Sequence, residues 1–79
     1  MKYLVNIGFG NFVNRERIIA VVGPNSSPIR KMKDELKAAG KLIDATQGKK
    51  TRSIIVMDSG HVVLSAIAVE TIAERINEK

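Results

Sequence analysis

Three cations, Lys49, Lys50 and Arg52, crowd into four consecutive positions, and no acidic residue lies within three positions of the lysine pair. Like charges held side by side repel, so the cluster suits a polyanion: ammonium groups as point charges and guanidinium as a planar fork for phosphate. Two further groups stand upstream. Arg15 and Arg17 flank Glu16, and Arg30, Lys31 and Lys33 follow a Ser-Pro pair. Lys31 lies four residues before Glu35, a spacing common on solvated helix surfaces, so Lys31 and Lys33 read as generic. Asp58-Ser59-Gly60-His61 contains the residue types of a hydrolytic triad, but neighbouring positions do not converge on one point, and a turn is the plainer reading. Gly48-Lys49 lacks the glycine that a phosphate loop carries five residues earlier, where Ile43 stands, and a strand rather than a helix follows. Gly8-Phe9-Gly10 lacks the third glycine of a dinucleotide fingerprint and reads as a tight turn. One His and no Cys exclude a zinc site and disulfides, and no cofactor or small-molecule substrate is implied.

The elements that position these residues follow from periodicity and punctuation. Residues 42–46, 52–58 and 61–66 are apolar runs joined by glycine-bearing links, which predicts a three-stranded antiparallel meander. Lys49, Lys50 and Arg52 then sit at a hairpin tip facing water. Residues 3–7 form a first strand, 11–13 a short strand or extended return, and 17–22 a strand dense in β-branched residues. Ser27 caps a helix with Pro28 at its first position, an apolar stripe of Ile29, Met32 and Leu36, and Gly40 at its end. Val69, Ile72, Ala73 and Ile76 form a second helical stripe running to the end of the chain. The expected class is α+β, a small antiparallel sheet packed by two helices.

At 79 residues the chain is one domain with a marginal core. Its net charge is +5, and ten of its thirteen basic residues but only four of its eight acidic ones lie between Arg15 and Arg52. Clustered positive charge favours phosphate polymers or anionic membrane surfaces. Three aromatic residues, Tyr3, Phe9 and Phe12, are few for a single-stranded platform, which favours duplex backbone contacts. No signal peptide or membrane span is expected, and the cytoplasm is the expected compartment. Long apolar runs at 18–22, 54–57 and 62–69 exceed what so small a body buries alone. Self-association is therefore expected, with the Gly8-Phe9-Gly10 turn and the strand edges as contacts.

Several blocks resemble one family. Asn6-Ile7-Gly8-Phe9-Gly10-Asn11, Ser27-Pro28-Ile29-Arg30, the run from Leu42 to Arg52 (LIDATQGKKTR), Val56-Met57-Asp58-Ser59 and His61-Val62 are similar to the extracellular matrix regulatory protein RemA family. The likeness covers residues 6–75. It implies a bacterial, non-enzymatic DNA-binding regulator with a LytTR-like fold, whose relatives activate genes for biofilm matrix and osmoprotection. It also implies a ring-shaped homo-oligomer with double-stranded DNA along its outside. The family's DNA contacts fall on Arg17, Lys49 and Lys50 here; Arg52 and Arg30 are added from charge alone. The family's arginine pair is Lys49-Lys50 in this chain, which keeps phosphate attraction but loses bidentate base recognition. An RNA-binding ring and a basic adaptor for an acidic protein are the other classes that the composition allows. Static light scattering should give a mass above one chain; a concentration-independent monomer mass rules self-association out.

Overall fold

The computed structural model describes residues 3–78. Strands β1 (Leu4–Gly8) and β2 (Asn11–Asn14) form an antiparallel hairpin, and a short 3-10 turn follows at Arg15–Arg17. Strand β3 (Ile18–Val22), helix α1 (Ser27–Ala38) and strands β4 (Leu42–Asp44), β5 (Ser53–Met57) and β6 (Val62–Ser65) come next, then helix α2 (Val69–Ile76). The larger sheet has the order β3-β5-β6-β4.

The α+β class and both helices match expectation, but the strand arrangement does not. Strand β4 pairs with β6, not with β5, and the pairing is parallel, with Leu42 beside Val62 and Asp44 beside Leu64. So the sheet is mixed, and a second, two-stranded sheet stands beside it. The expected meander is replaced by a β5–β6 hairpin and a crossover from β4 to β5. The physical reason lies in β6. All four of its residues are buried, so it needs a neighbour on each side and cover on both faces. Strand β4 exposes Ile43 and Asp44 and fits an edge.

Two apolar layers sandwich the sheet. On one face Ile55 and Val63 pack with Val5, Ile7 and Val13 of the hairpin and Ile72 of α2. On the other, Ile54, Val62 and Leu64 pack under Ile29, Met32 and Leu36, the predicted stripe of α1. The cap of α1 is Ser26, one residue before the expected Ser27; its Oγ accepts the Ile29 N–H at 3.3 Å. Gly40, at φ +73°, ends the helix as expected, with Lys41 N–H donating to Leu36 C=O and Gly40 N–H to Lys37 C=O. In α2, Ile72 is fully buried, whereas Ala73 faces solvent.

Buried hydroxyls lock the layers together. Ser65 Oγ donates to Ile7 C=O at 2.9 Å and accepts from Ile67 N–H at 3.0 Å. Ser53 Oγ donates to Ile67 C=O at 2.7 Å. Along the hairpin, Arg75 Nη1 donates to Asn6 C=O, and Arg15 Nη2 donates to Arg75 C=O. That last bond sets a cation at the negative end of α2. Replacing Ser65 by Ala leaves the Ile7 carbonyl buried without its donor. The variant should lose about 1–3 kcal/mol of unfolding free energy in a urea titration.

Candidate nucleic-acid interface

The segment between β4 and β5 crosses the end of β6 and is tied to it at both sides. Ala45 N–H donates to Leu64 C=O at 3.0 Å, and Arg52 N–H donates to Ser65 C=O at 2.8 Å. Between these ties the chain folds on itself twice. Asp44 Oδ1 accepts from Thr46 N–H at 2.9 Å and from Thr46 Oγ1 at 2.6 Å, an Asx turn with Thr46 buried beneath it. Gln47 and Gly48 then adopt φ of +51° and +80°, and Lys49 N–H donates to Thr46 C=O at 3.0 Å. Two successive left-handed residues closed by that bond fit a type I′ turn. Lys49, Lys50 and Arg52 emerge from this loop with their side chains exposed. Among the described residues none of the three has a carboxylate partner. The hairpin tip expected from the sequence is thus a crossover, and it carries the exposed cations along the end of the sheet rather than on a projecting tip.

A second feature meets them there. Gly8 and Phe9, from the β1–β2 turn, line one groove of about 470 Å³ with Lys49, Lys50, Arg52 and Ile67. Gly8 is seated tightly: a Cβ there would lie 3.2 Å from Ile67 Cγ1. Asn6 Oδ1 accepts the Gly8 N–H, and Asn11 Nδ2 donates to Gly8 C=O, so side chains brace the turn. Phe9 and Gly10 are both left-handed, at φ +54° and +78°. For phenylalanine that backbone costs about 1–3 kcal/mol. Yet Phe9 is 48% exposed, so only about half of its surface is available to offset that cost. Beside this groove, Lys50 and Arg52 share a shallower hollow with Gly23 and Asn25, which lead into α1. Arg30 lies in that helix's opening turns and is exposed.

Arg17 stands apart. It lies at the start of β3, beside the end of β5, and its Nη1 donates to Asp58 Oδ2 at 3.1 Å across the surface. Strands β3 and β5 run antiparallel, with Ile18 beside Met57 and Val22 beside Ile54. The six steps of chain from Arg52 to Asp58, which lies beside Arg17, put the two arginines roughly 20 Å apart at about 3.3 Å per residue. The structure thus gathers Lys49, Lys50 and Arg52 with Phe9 and Gly8, and leaves Arg17 at the opposite end of the sheet. Arg15, its neighbour in sequence, turns inward to α2. Ser59 Oγ lies 2.8 Å from His61 Nδ1, but the carboxylate that a triad would need is engaged with Arg17. Among the described residues no group of acidic, His or Cys side chains could hold a metal ion. No described helix is long and apolar enough to cross a membrane.

The model of the RemA-like family, described as extracellular matrix regulatory protein A-like, matches residues 4–76. The chain belongs to the RemA-like family. The RemA-like chain is 68% identical over 75 residues to a Thermodesulfovibrio yellowstonii protein named "Putative regulatory protein", covering 95% of this chain and 88% of that one. A Thermotoga maritima protein of the same name is 64% identical over 78 residues, covering 99% and 85%. One from Nitratidesulfovibrio vulgaris is 53% identical over 76 residues, covering 96% and 86%. The chain is therefore related to regulatory proteins, in keeping with the family resemblance of its motifs.

The Asx turn that launches the basic loop carries a pH signature. Hydrogen bonds from Thr46, first its hydroxyl and then its backbone N–H, hold the Asp44 carboxyl below its ordinary value. A depressed folded value means that this contribution is complete above the unfolded pKa and fades as pH falls through the folded one. Asp44→Ala should lower Tm by a constant amount at neutral pH. The gap should narrow below about pH 4, as a thermal melt series across pH would show.

Proposed function

We propose that this chain is a non-enzymatic bacterial transcriptional regulator that binds duplex DNA as a self-assembled ring and activates matrix-type genes. One protomer grips phosphates with Lys49, Lys50 and Arg52; Arg17 supplies a second patch and Arg30 a third. The observation that carries this reading is the crossover loop, which holds three cations, without a carboxylate partner among the described residues, on a braced, exposed frame beside an aromatic ring. The family's description and the relatives' regulatory names support the same class.

Lysines attract phosphate without the two-pronged base recognition of arginine, so binding is chiefly electrostatic. The roughly 20 Å between Arg17 and Arg52 suits a duplex lying along the sheet, with one patch on either side of a groove about 12 Å wide. A ring repeats these patches along a curved path, and each bound protomer raises the effective concentration for the next. Bending the duplex costs about 1–6 kcal/mol per site, which repeated contacts offset. The free edges of the sheet suit self-contact. Ile19 on β3 is 67% exposed and Ile43 on β4 is 51% exposed. Beside Ile43 a hollow of about 460 Å³ is lined by Phe12, Met57 and Val63 and reaches the Arg17–Asp58 pair. We further infer kinship of the fold with LytTR-type DNA-binding domains and a location with the nucleoid in the cytoplasm.

The Lys49→Ala/Lys50→Ala double variant should weaken duplex retention in a gel shift by a similar factor on all sequences. The slope of log affinity against log salt should fall by about 0.9 for each phosphate that is no longer neutralised. Unchanged affinity and slope would remove this loop from the interface.

A further inference from the structure

Phe9 is the least expected residue of its turn. Gly8 pairs with Asn11 across the hairpin, which leaves Phe9 and Gly10 as a two-residue loop with positive φ at both positions. Such loops favour Asn-Gly, Asp-Gly or Gly-Gly, because those residues enter the left-handed region at low cost. The crossover loop obeys a softer form of the rule, with Gln47-Gly48 at the same two positions. At residue 9 the chain carries a large ring instead, and the fold does not use it as core: it is half-exposed, and the hydrophobic clusters form without it. The backbone that presents it is nevertheless braced. Asn6 and Asn11 brace its turn from both sides, and Gly8 beds against Ile67. Lys49, Lys50 and Arg52 line the same groove.

We propose that Phe9 is a wedge that enters between base pairs of the bound duplex. The inference rests on the duplex-binding reading given above and adds a contact to bases. An apolar ring inserted at a base step unstacks it and kinks the helix, and flanking cations hold the phosphates on either side of the kink. The cations that line the groove stand where such phosphates would run. Pyrimidine–purine steps unstack most easily, so the wedge selects them by their deformability. One ring per protomer places a kink at each repeat of the assembly, which concentrates bending at discrete steps. A preference for sequence then arises although the lysine pair lacks the two-pronged base recognition of arginine. The competing use of the ring is as a contact between subunits. The free edges at Ile19 and Ile43 already offer apolar surface for that purpose.

The test uses the whole chain with a duplex carrying 2-aminopurine at a TA step. Native protein should raise the probe's fluorescence by unstacking it. Phe9→Asn installs the residue that the turn favours, so folding is preserved and Tm should hold or rise. This variant should lose the fluorescence rise and bind about tenfold more weakly, as expected when one base–aromatic stack is removed. Its salt slope and its mass in light scattering should match the native protein's. Phe9→Trp should retain the fluorescence rise. A smaller assembly for Phe9→Asn would assign the ring to a subunit contact and overturn the proposal, as would unchanged affinity and fluorescence. Absence of salt-sensitive duplex retention by the native chain would instead fail the duplex reading itself, and the wedge with it.

Discussion

Strand β6 occupies the slot between β4 and β5, and the rest of the molecule is arranged to satisfy it. Its residues Val62, Val63, Leu64 and Ser65 are buried on both faces. A strand of that kind needs a partner on each side for its backbone and an apolar layer above and below. Strand β5 supplies one edge through a tight hairpin, and β4 supplies the other in parallel. Helix α1 covers one face, while the β1–β2 hairpin and α2 cover the other. Because β4 and β5 are thus held apart, the chain between them has to pass over the end of β6. That passage brings Lys49, Lys50 and Arg52 to the groove that Gly8 and Phe9 also line. Connectivity, rather than a local motif, assembles the site.

The same arrangement separates cations that look alike in sequence. Arg15 and Arg17 stand two positions apart, yet one donates to a carbonyl at the end of α2 and the other pairs with Asp58 at the surface. The Arg17–Asp58 pair is exposed, and such pairs contribute about 0–1 kcal/mol. Arg17 is therefore easily drawn to a stronger anion. Lys49, Lys50 and Arg52 have no such local partner among the described residues. Their loop is held instead by backbone ties to β6 and by the Asp44–Thr46 turn. A carboxylate that orders the loop from behind leaves the cationic side chains open to solvent.

Much of the fold is legible wherever one local force dominates. The start of α1 differs from expectation by a single residue, since Ser26 and Ser27 are chemically equivalent caps and only the direction of the chain leaving Pro24 chooses between them. The left-handed glycine at the helix end and the stripe of Ile29, Met32 and Leu36 lie where periodicity places them. The partner of the first apolar run differs from expectation because Gly48 does make a hairpin-type turn, and turn type does not report which strand comes next to which. A signal is present nonetheless: the unbroken apolar run of β6 marks a central strand, whereas Leu42-Ile43-Asp44 is short and ends in a charge. The Asp44–Thr46 turn is likewise readable from its spacing.

By itself the sequence determined the elements and their faces, the two glycine turns, the concentration of positive charge and the family. Those properties depend on residues within a few positions of each other, where propensity, capping and periodicity act. Only the tertiary structure decided the order of the strands, the meeting of Phe9 with the lysine pair and the distance of Arg17 from both. Residues 9 and 49 are forty positions apart, and their proximity depends on how β6 finds cover and partners for its buried backbone. Local pattern marks β6 as a central strand but does not name its partners; that choice emerges when the whole apolar surface of the chain is buried at once.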